Sequence, residues 1–241
     1  MHLEALKEQV EGFLEGNPYG VFPDYDGYTD KCILRAEVHT PPPQEWGIII
    51  GDIAHNLRSA LDQVVWQLAL LQTTTPYNRT AFPIFTTRDK YRNNGGRLVQ
   101  NLATRQEALI KWLQPYRRGN KAESDLLWLL QDVNNTDKHR VIQTVGTVLG
   151  FQGLRFRNMQ GFMPQDVNVH TGTRLENGAP VADFTFVQTS RNAHMEMHPN
   201  FTFDIEFSEG SSAVEGMALL PTLSDILAHV EGIIPMFERF F

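Results

Sequence analysis

The longest regular pattern in the chain runs from about Gln44 to Gln72. Ile49, Ile53, Leu57, Leu61, Val64 and Leu68 recur there at spacings of three and four, which predicts a long amphipathic helix. Pro41-Pro42-Pro43 breaks the chain immediately before it. The same periodicity predicts a first helix over residues 1–15, with Leu3, Leu6, Val10, Phe13 and Leu14 on one side and Gly16-Asn17-Pro18 as its stop. A third helix is expected from about Leu102 to Leu113. A fourth starts near Ser124 as N-cap and carries Leu126, Leu127, Leu129, Leu130 and Val133. Residues 73–101, with Thr73-Thr74-Thr75-Pro76 and Asn93-Asn94-Gly95-Gly96, read as loop.

The pattern changes after about residue 145. Leu154-Arg155-Phe156 reads as a short strand, and Phe201, Phe203, Ile205 and Phe207 alternate with polar residues as a half-buried strand. Glu176-Asn177-Gly178-Ala179 is the strongest hairpin signal, between Val167–Leu175 and Val181–Val187. A closing helix follows Thr222, and Pro235 should kink or end it. An earlier strand is expected over 31–39, with Cys32, Leu34, Ala36 and Val38 on one face. The predicted class is α+β: a helical bundle over about 44–145, packed with a mostly antiparallel β-sheet and a C-terminal helix. Residues 1–145 are expected to form a mainly helical region with one or two N-terminal strands, and 146–241 a strand-rich region with the closing helix, as two regions or as one compact domain.

The 241 residues suffice for a substantial core. A net charge of −7 argues against a surface that coats nucleic acid generally. The lone cysteine, Cys32, rules out an internal disulfide framework and reads as a packed core thiol. There is no apolar run long enough for a membrane span and no secretory signal pattern, so a cytoplasmic location and no membrane partner are expected.

Two polar runs interrupt the helical half. The first is Gly51-Asp52-Ile53-Ala54-His55-Asn56-Leu57-Arg58-Ser59-Ala60-Leu61-Asp62. On a helix with Ile49, Ile53, Leu57, Ala60, Leu61, Val64 and Leu68 as core stripe, His55, Arg58 and Asp62 cluster on one flank. Asp52, Asn56, Ser59 and Gln63 lie beside them. Arg58 and Asp62 stand four apart and can form an ion pair. The second run is Asn134-Asn135-Thr136-Asp137-Lys138-His139-Arg140. If the fourth helix continues through Arg140, Asp137 falls among Leu126, Leu130 and Val133 on the apolar side. A carboxylate buried there needs a partner, and Arg58 or His55 is the simplest one. If Asn134-Asn135 ends the helix, Thr136 or Asp137 caps the next one instead. A solvated face, a buried ion network and a functional polar site all remain open at this stage.

The two runs, together with Gln114-Pro115-Tyr116, resemble a family of uncharacterised bacterial and phage-borne proteins over roughly residues 30–145. The helical part is also similar in character to HEPN domains, helical bundles of which many are metal-independent RNases of toxin and phage-defence systems. Their site pairs an arginine with a histidine a short way downstream, doubled across a homodimer. That resemblance implies a metal-independent endoribonuclease with His55, Arg58, His139 and Arg140 as catalytic types, the histidine as acid/base and the arginine on the phosphorane. Asp52, Asn56, Asp62, Asp137 and Lys138 would then be binding residues, with RNA or another anionic ligand as partner and no cofactor. The order differs here: Arg58 follows His55, and the literal match is Arg191-Asn192 with His198 in the strand-rich half. The second reading is a non-enzymatic binding or assembly module in which the same residues form a structural ion network.

Two further groups stand out. His194, Glu196 and His198 would share one face of a strand, a three-ligand spacing, whereas on a helix only the histidines align. Tyr91-Arg92, Arg97, Arg105, Arg117-Arg118 and Lys121 make a loosely basic middle region that reads as a solvated edge or a phosphate contact.

Overall fold

A computed structural model of the chain describes residues 2–25, 30–138, 140–160, 162–188, 194–208, 210 and 213–241, with 154–160, 162–164, 188 and 194–197 described by their backbone alone. Helix α1 (His2–Glu15) leads into strands β1 (Tyr19–Tyr25) and β2 (Lys31–Val38), and then the long helix α2 (Glu45–Leu70). Two short helical pieces, α3 (Arg88–Lys90) and α4 (Gly96–Leu98), flank a π-helical turn at Tyr91–Gly95. Helix α5 (Thr104–Leu113), 3-10 turns over Pro115–Ser124 and helix α6 (Leu126–Asp137) complete the helical stretch. Strands β3 (Thr144–Gln160), β4 (Phe162–Val169), β5 (Pro180–Gln188) and β6 (His194–Phe207) follow. Helix α7 (Leu219–Ile233) and a 3-10 turn, Ile234–Phe240, close the chain. Helices and antiparallel strands occupy separate stretches, so the protein is α+β. Among the described residues no helix is long and apolar enough to cross a membrane.

The chain forms two compact units that interleave along the sequence. One holds Gln44–Gln143 with Phe207–Phe241 and the first few residues through Leu6; the other holds Lys7–Pro43 with Thr144–Glu206. The change in sequence pattern near 145 therefore coincides with a junction between units.

In the helical unit, α2 packs on α6, and α6 on α7. Ile50, Leu61, Val65 and Leu68 of α2 meet Leu127, Leu130 and Val133 of α6 in a core that also takes Leu223, Ile226 and Val230 of α7. Each such side chain contributes about 1.5–3 kcal/mol relative to exposure. The buried stripe of α2 is turned from the expected one. Ile50, Ala54 and Val65 are buried, whereas Ile49, Leu57, Ala60 and Val64 are only half-buried. Two glycines explain the rotation, because Gly47 and Gly51 let the end of α6 and the segment after it approach the α2 backbone.

Helix α6 is capped by Asp125, one residue beyond the expected Ser124. The Asp125 carboxylate accepts from the Leu127 N–H at 3.0 Å, and a negative charge there also suits the helix N-terminus. Ser124 turns back instead and donates to the Lys121 carbonyl. Helix α7 starts at Leu219, earlier than expected, because Pro221 is tolerated in a first turn. It ends at Ile233, and Pro235 opens the following 3-10 turn, as the proline predicted.

His229 of α7 sits against this cap. Burial holds its pKa below the ordinary value; Asp125 pulls it up and Arg118 pushes it down. A histidine kept neutral in the fold contributes stability above its unfolded pKa of about 6.5 and loses it as the pH falls through the lowered native value. Stability is therefore expected to decline below about pH 6.5 with proton uptake on unfolding. His229→Gln should flatten that part of a denaturation-versus-pH curve; an unchanged slope would remove His229 as the cause.

In the second unit a four-stranded sheet among the described residues has the order β1-β2-β5-β4, antiparallel throughout, and β3 pairs with β6. The expected alternation of 31–39 is realised: Cys32, Leu34 and Ala36 are fully buried, and Cys32 and Leu34 stand opposite Phe184 and Ala182 of β5. Burial raises the Cys32 thiol pKa to about 11, against the hydrogen bond it gains near Asp24, so it is a packed thiol. The Asn177-Gly178 hairpin joins β4 to β5 as expected, but its loop spans 170–179. Asn177 accepts from the Val38 N–H, and the Gly178 N–H donates to the Ala36 carbonyl, which ties the turn onto β2. Gly178 takes φ = 85°, a conformation suited to glycine.

Candidate functional site

The first polar run lies on α2. Gly51, His55, Arg58 and Asp62 follow at steps of four, three and four, one stripe of the helix. Gly51 abuts the Asp137 carboxylate, and Arg58 bonds Gln131, so this stripe runs along α6 in the opposite chain direction. The two polar runs therefore share one helix–helix seam. The pairing within it differs from the expected Asp137–Arg58 contact.

Arg58 is the centre of the seam, with only 13% of its side chain exposed. Its Nε donates to Gln131 Oε1 at 3.0 Å, Nη1 to Asp62 Oδ1 at 2.7 Å, and Nη2 to the Phe82 carbonyl at 2.5 Å. Asp62 Oδ1 in turn accepts from the Phe82 N–H at 2.8 Å. Burial pushes the Asp62 pKa up, while the Arg58 charge, the Phe82 N–H and, least, the Lys138 charge draw it down. Burial lowers the pKa of Arg58, and Asp62 opposes that shift. The i,i+4 pair expected from the sequence is thus formed, and its second task is to satisfy both backbone groups of Phe82.

Phe82 begins a buried non-helical stretch: Phe82, Pro83 and Ile84 are all buried. Backbone polar groups in such a stretch need partners. Gln114, itself fully buried, donates from Nε2 to the Pro83 carbonyl at 2.6 Å and to the Ile110 carbonyl at 3.2 Å. The Tyr116 N–H donates to the Phe85 carbonyl at 3.1 Å. Residues of the first polar run and of Gln114-Pro115-Tyr116, distant in sequence, thus converge on the backbone of 82–85. Sequence reasoning missed this partner, because a loop some twenty residues from Asp62 leaves no periodic signal.

The remaining candidates are peripheral to the clamp. Asp52, His55 and Asn56 are exposed on α2. Asp137 is exposed too, as the last residue of α6, which corrects its placement on the apolar side. Its carboxylate does turn toward α2 at Gly51, but α6 stops at Asp137, so no further turn of helix covers it, and no helix follows directly for it to cap. Lys138 is the exposed C-cap residue, and exposed Arg140 donates its N–H to the Thr136 carbonyl. His139 lies outside the described residues, as do Arg191 and Asn192. The backbone from His194 onward is strand, the alternative that aligns His194, Glu196 and His198; the side chains of His194 and Glu196 lie outside the described residues. Among the described residues no group of three histidine, cysteine or acidic side chains is placed to hold a metal ion.

Two concavities flank the clamp. One, of about 310 Å³, is lined by Arg58, Phe82, Lys90, Trp128, Gln131 and Asn135 among others. The other, of about 240 Å³, is lined by Ser59, Asp62, Gln63, Trp66 and Thr80. Arg58 faces the first with all three of its nitrogens already engaged. Set against known proteins, the chain matches no family model, no curated protein and no solved structure.

Proposed function

We propose that this protein is a non-enzymatic binding or assembly module, and that its Arg58–Asp62 pair is a structural ion network. The observation that carries the reading is the convergence of Arg58, Asp62, Gln114 and Tyr116 on the backbone of 82–85. Three of the five N–H donors of Arg58 go to a glutamine, a carboxylate and a main-chain carbonyl, which ties the guanidinium to the fold at three points.

One observation favours the second reading, a HEPN-like RNA-processing enzyme. His55 on α2, Lys138 at the end of α6 and Arg140 beyond it are exposed beside the same seam. Those are the residue types that general acid–base cleavage of a phosphodiester needs. Incubation of the purified chain with single-stranded and hairpin RNA separates the two. No cleavage above the buffer control is expected. Cleavage that disappears in His139→Ala at an unchanged melting temperature would replace the binding reading with the enzymatic one.

A further inference from the structure

The helical unit carries a further, larger concavity, which meets the clamp only at Tyr116. It measures about 660 Å³ and is lined by Arg88, Tyr91, Arg92, Lys111, Tyr116 and Arg117, with Gly96 and Glu107. Three separate pieces of chain build it: the helical run from α3 to α4, one face of α5, and the turn that follows α5. The basic character of the middle region is thereby sorted. Arg92 and Arg117 line the cavity, together with Arg88 and Lys111, while Arg118 is taken by Asp125 at 3.2 Å.

The charge balance inside is one-sided. Four cations face one carboxylate, Glu107, and that carboxylate already pairs with Lys111 at 2.6 Å. In a chain of net charge −7, composition does not produce such a concentration by itself. Like charges gathered around a concavity repel one another unless an anion is shared between them.

The frame is built rather than loose. Thr87 caps α3, its hydroxyl accepting from the Lys90 N–H. The π-helical turn at Tyr91–Gly95 holds Tyr91 and Arg92 at the cavity, and such turns recur at functional sites. Gly95 is required there, because a Cβ would stand 2.9 Å from the Tyr91 ring. The Arg117 Nε donates to the Lys111 carbonyl at 3.3 Å, and its guanidinium lies 5.9 Å from the Tyr116 ring centre. Tyr91 is 95% buried between Phe85 and Tyr116, and its hydroxyl has no hydrogen-bond partner among the described residues. Burial, and then the nearby Glu107 charge, keep this hydroxyl protonated.

We propose that this cavity binds a small phosphate-bearing molecule of about nucleotide size, its phosphate shared by Arg88, Arg92, Arg117 and Lys111. Guanidinium forks suit phosphate oxygens, and the volume is in the range of small-ligand sites, about 300–1,000 Å³. A bounded concavity also fits a small molecule better than the continuous groove that tracks a nucleic-acid backbone. The proposal extends the binding reading by naming a ligand class. The two fail separately: that reading falls on RNA cleavage, this one on a titration.

The test is calorimetric titration of the full chain with inorganic pyrophosphate and, separately, adenosine monophosphate, at low and physiological salt. Saturable one-site binding of at least one probe is expected. Arg92→Gln combined with Arg117→Gln should weaken it by about tenfold or more. Arg105→Gln is the charge control, because Arg105 lines a different concavity with Arg239. Its binding should equal the wild type. No saturable binding of either probe overturns the proposal, and so does equal weakening by Arg105→Gln. Binding of a single-stranded RNA that neither small probe displaces also overturns it, in favour of a nucleic-acid surface.

Discussion

Replacing Arg58 by alanine is expected to destabilise the protein by about 2–3 kcal/mol, a fall of roughly 5–10 °C in melting temperature. The change strands three groups at once: the Phe82 carbonyl, Gln131 Oε1 and the Asp62 carboxylate. Removing one partner of a fully buried pair costs about 3–5 kcal/mol, but the Asp62 side chain is 36% exposed, so water recovers part of the loss. Two companion variants distinguish the backbone clamp from a simple ion pair. Asp62→Asn keeps an oxygen acceptor for the Phe82 N–H and should cost less, about 1 kcal/mol. Arg58→Lys keeps a charge beside Asp62 but lacks the fork that reaches Gln131 and Phe82, so it should resemble alanine more than wild type. Wild-type melting in Arg58→Ala would show that the clamp contributes nothing, and the structural reading of the motif would go with it.

The second large effect is expected at Gly47. A Cβ there would run into the Ile142 carbonyl, a main-chain atom that cannot rotate away, and crowd the Val141 side chain. Against a main-chain atom the overpacking cost falls at the top of its usual range, about 3 kcal/mol, and exceeds the gain of about 1 kcal/mol from replacing a helical glycine with alanine. Net destabilisation of about 2 kcal/mol is expected for Gly47→Ala by chemical denaturation. Gly51, one turn later, is the internal comparison. A Cβ there meets the Asp137 carboxylate, the far end of an exposed side chain at a helix terminus. Asp137 can swing aside, so the helix gain offsets the cost and Gly51→Ala should stay within about 1 kcal/mol of wild type. The reverse order of the two variants would mean that the 137–142 segment does not press on α2 as the structure has it.

The same glycines show where reading the sequence stopped short. Ile48-Ile49-Ile50 is apolar at three consecutive positions, so periodicity alone left the phase of α2 open. Close approach at Gly47 and Gly51 chose the phase that buries Ile50 and leaves Ile48 60% exposed. Asn93-Asn94-Gly95-Gly96 read as loop because glycine pairs break helices. The π-helical turn exists because Gly95 is what fits against the Tyr91 ring. Burial of Asp137 required α6 to run on through Arg140; it ends three residues earlier, and helix ends are where periodicity carries least information. By contrast, the Arg58–Asp62 pair, the Asn177-Gly178 hairpin and the stop before Pro235 were legible, because each rests on residues close in sequence.

That distinction accounts for the division of the fold and of the site. Helix and strand identity, the α+β class and the i,i+4 ion pair follow from local spacing, so the chain carries them in any short window. Which strands share a sheet does not. Strand β2 pairs with β5 about 150 residues later, and only the closure of that sheet places the N-terminal strands in one unit with 144–206. The partners of Arg58, Asp62 and Gln114 were likewise settled by a buried loop that needed its backbone satisfied. The grouping of Arg88, Arg92, Lys111 and Arg117 around one cavity arose from the packing of three chain segments. Periodicity reports which face of an element is apolar; what that face and its polar flank will touch is decided by burial across long loops, where no local signal reaches.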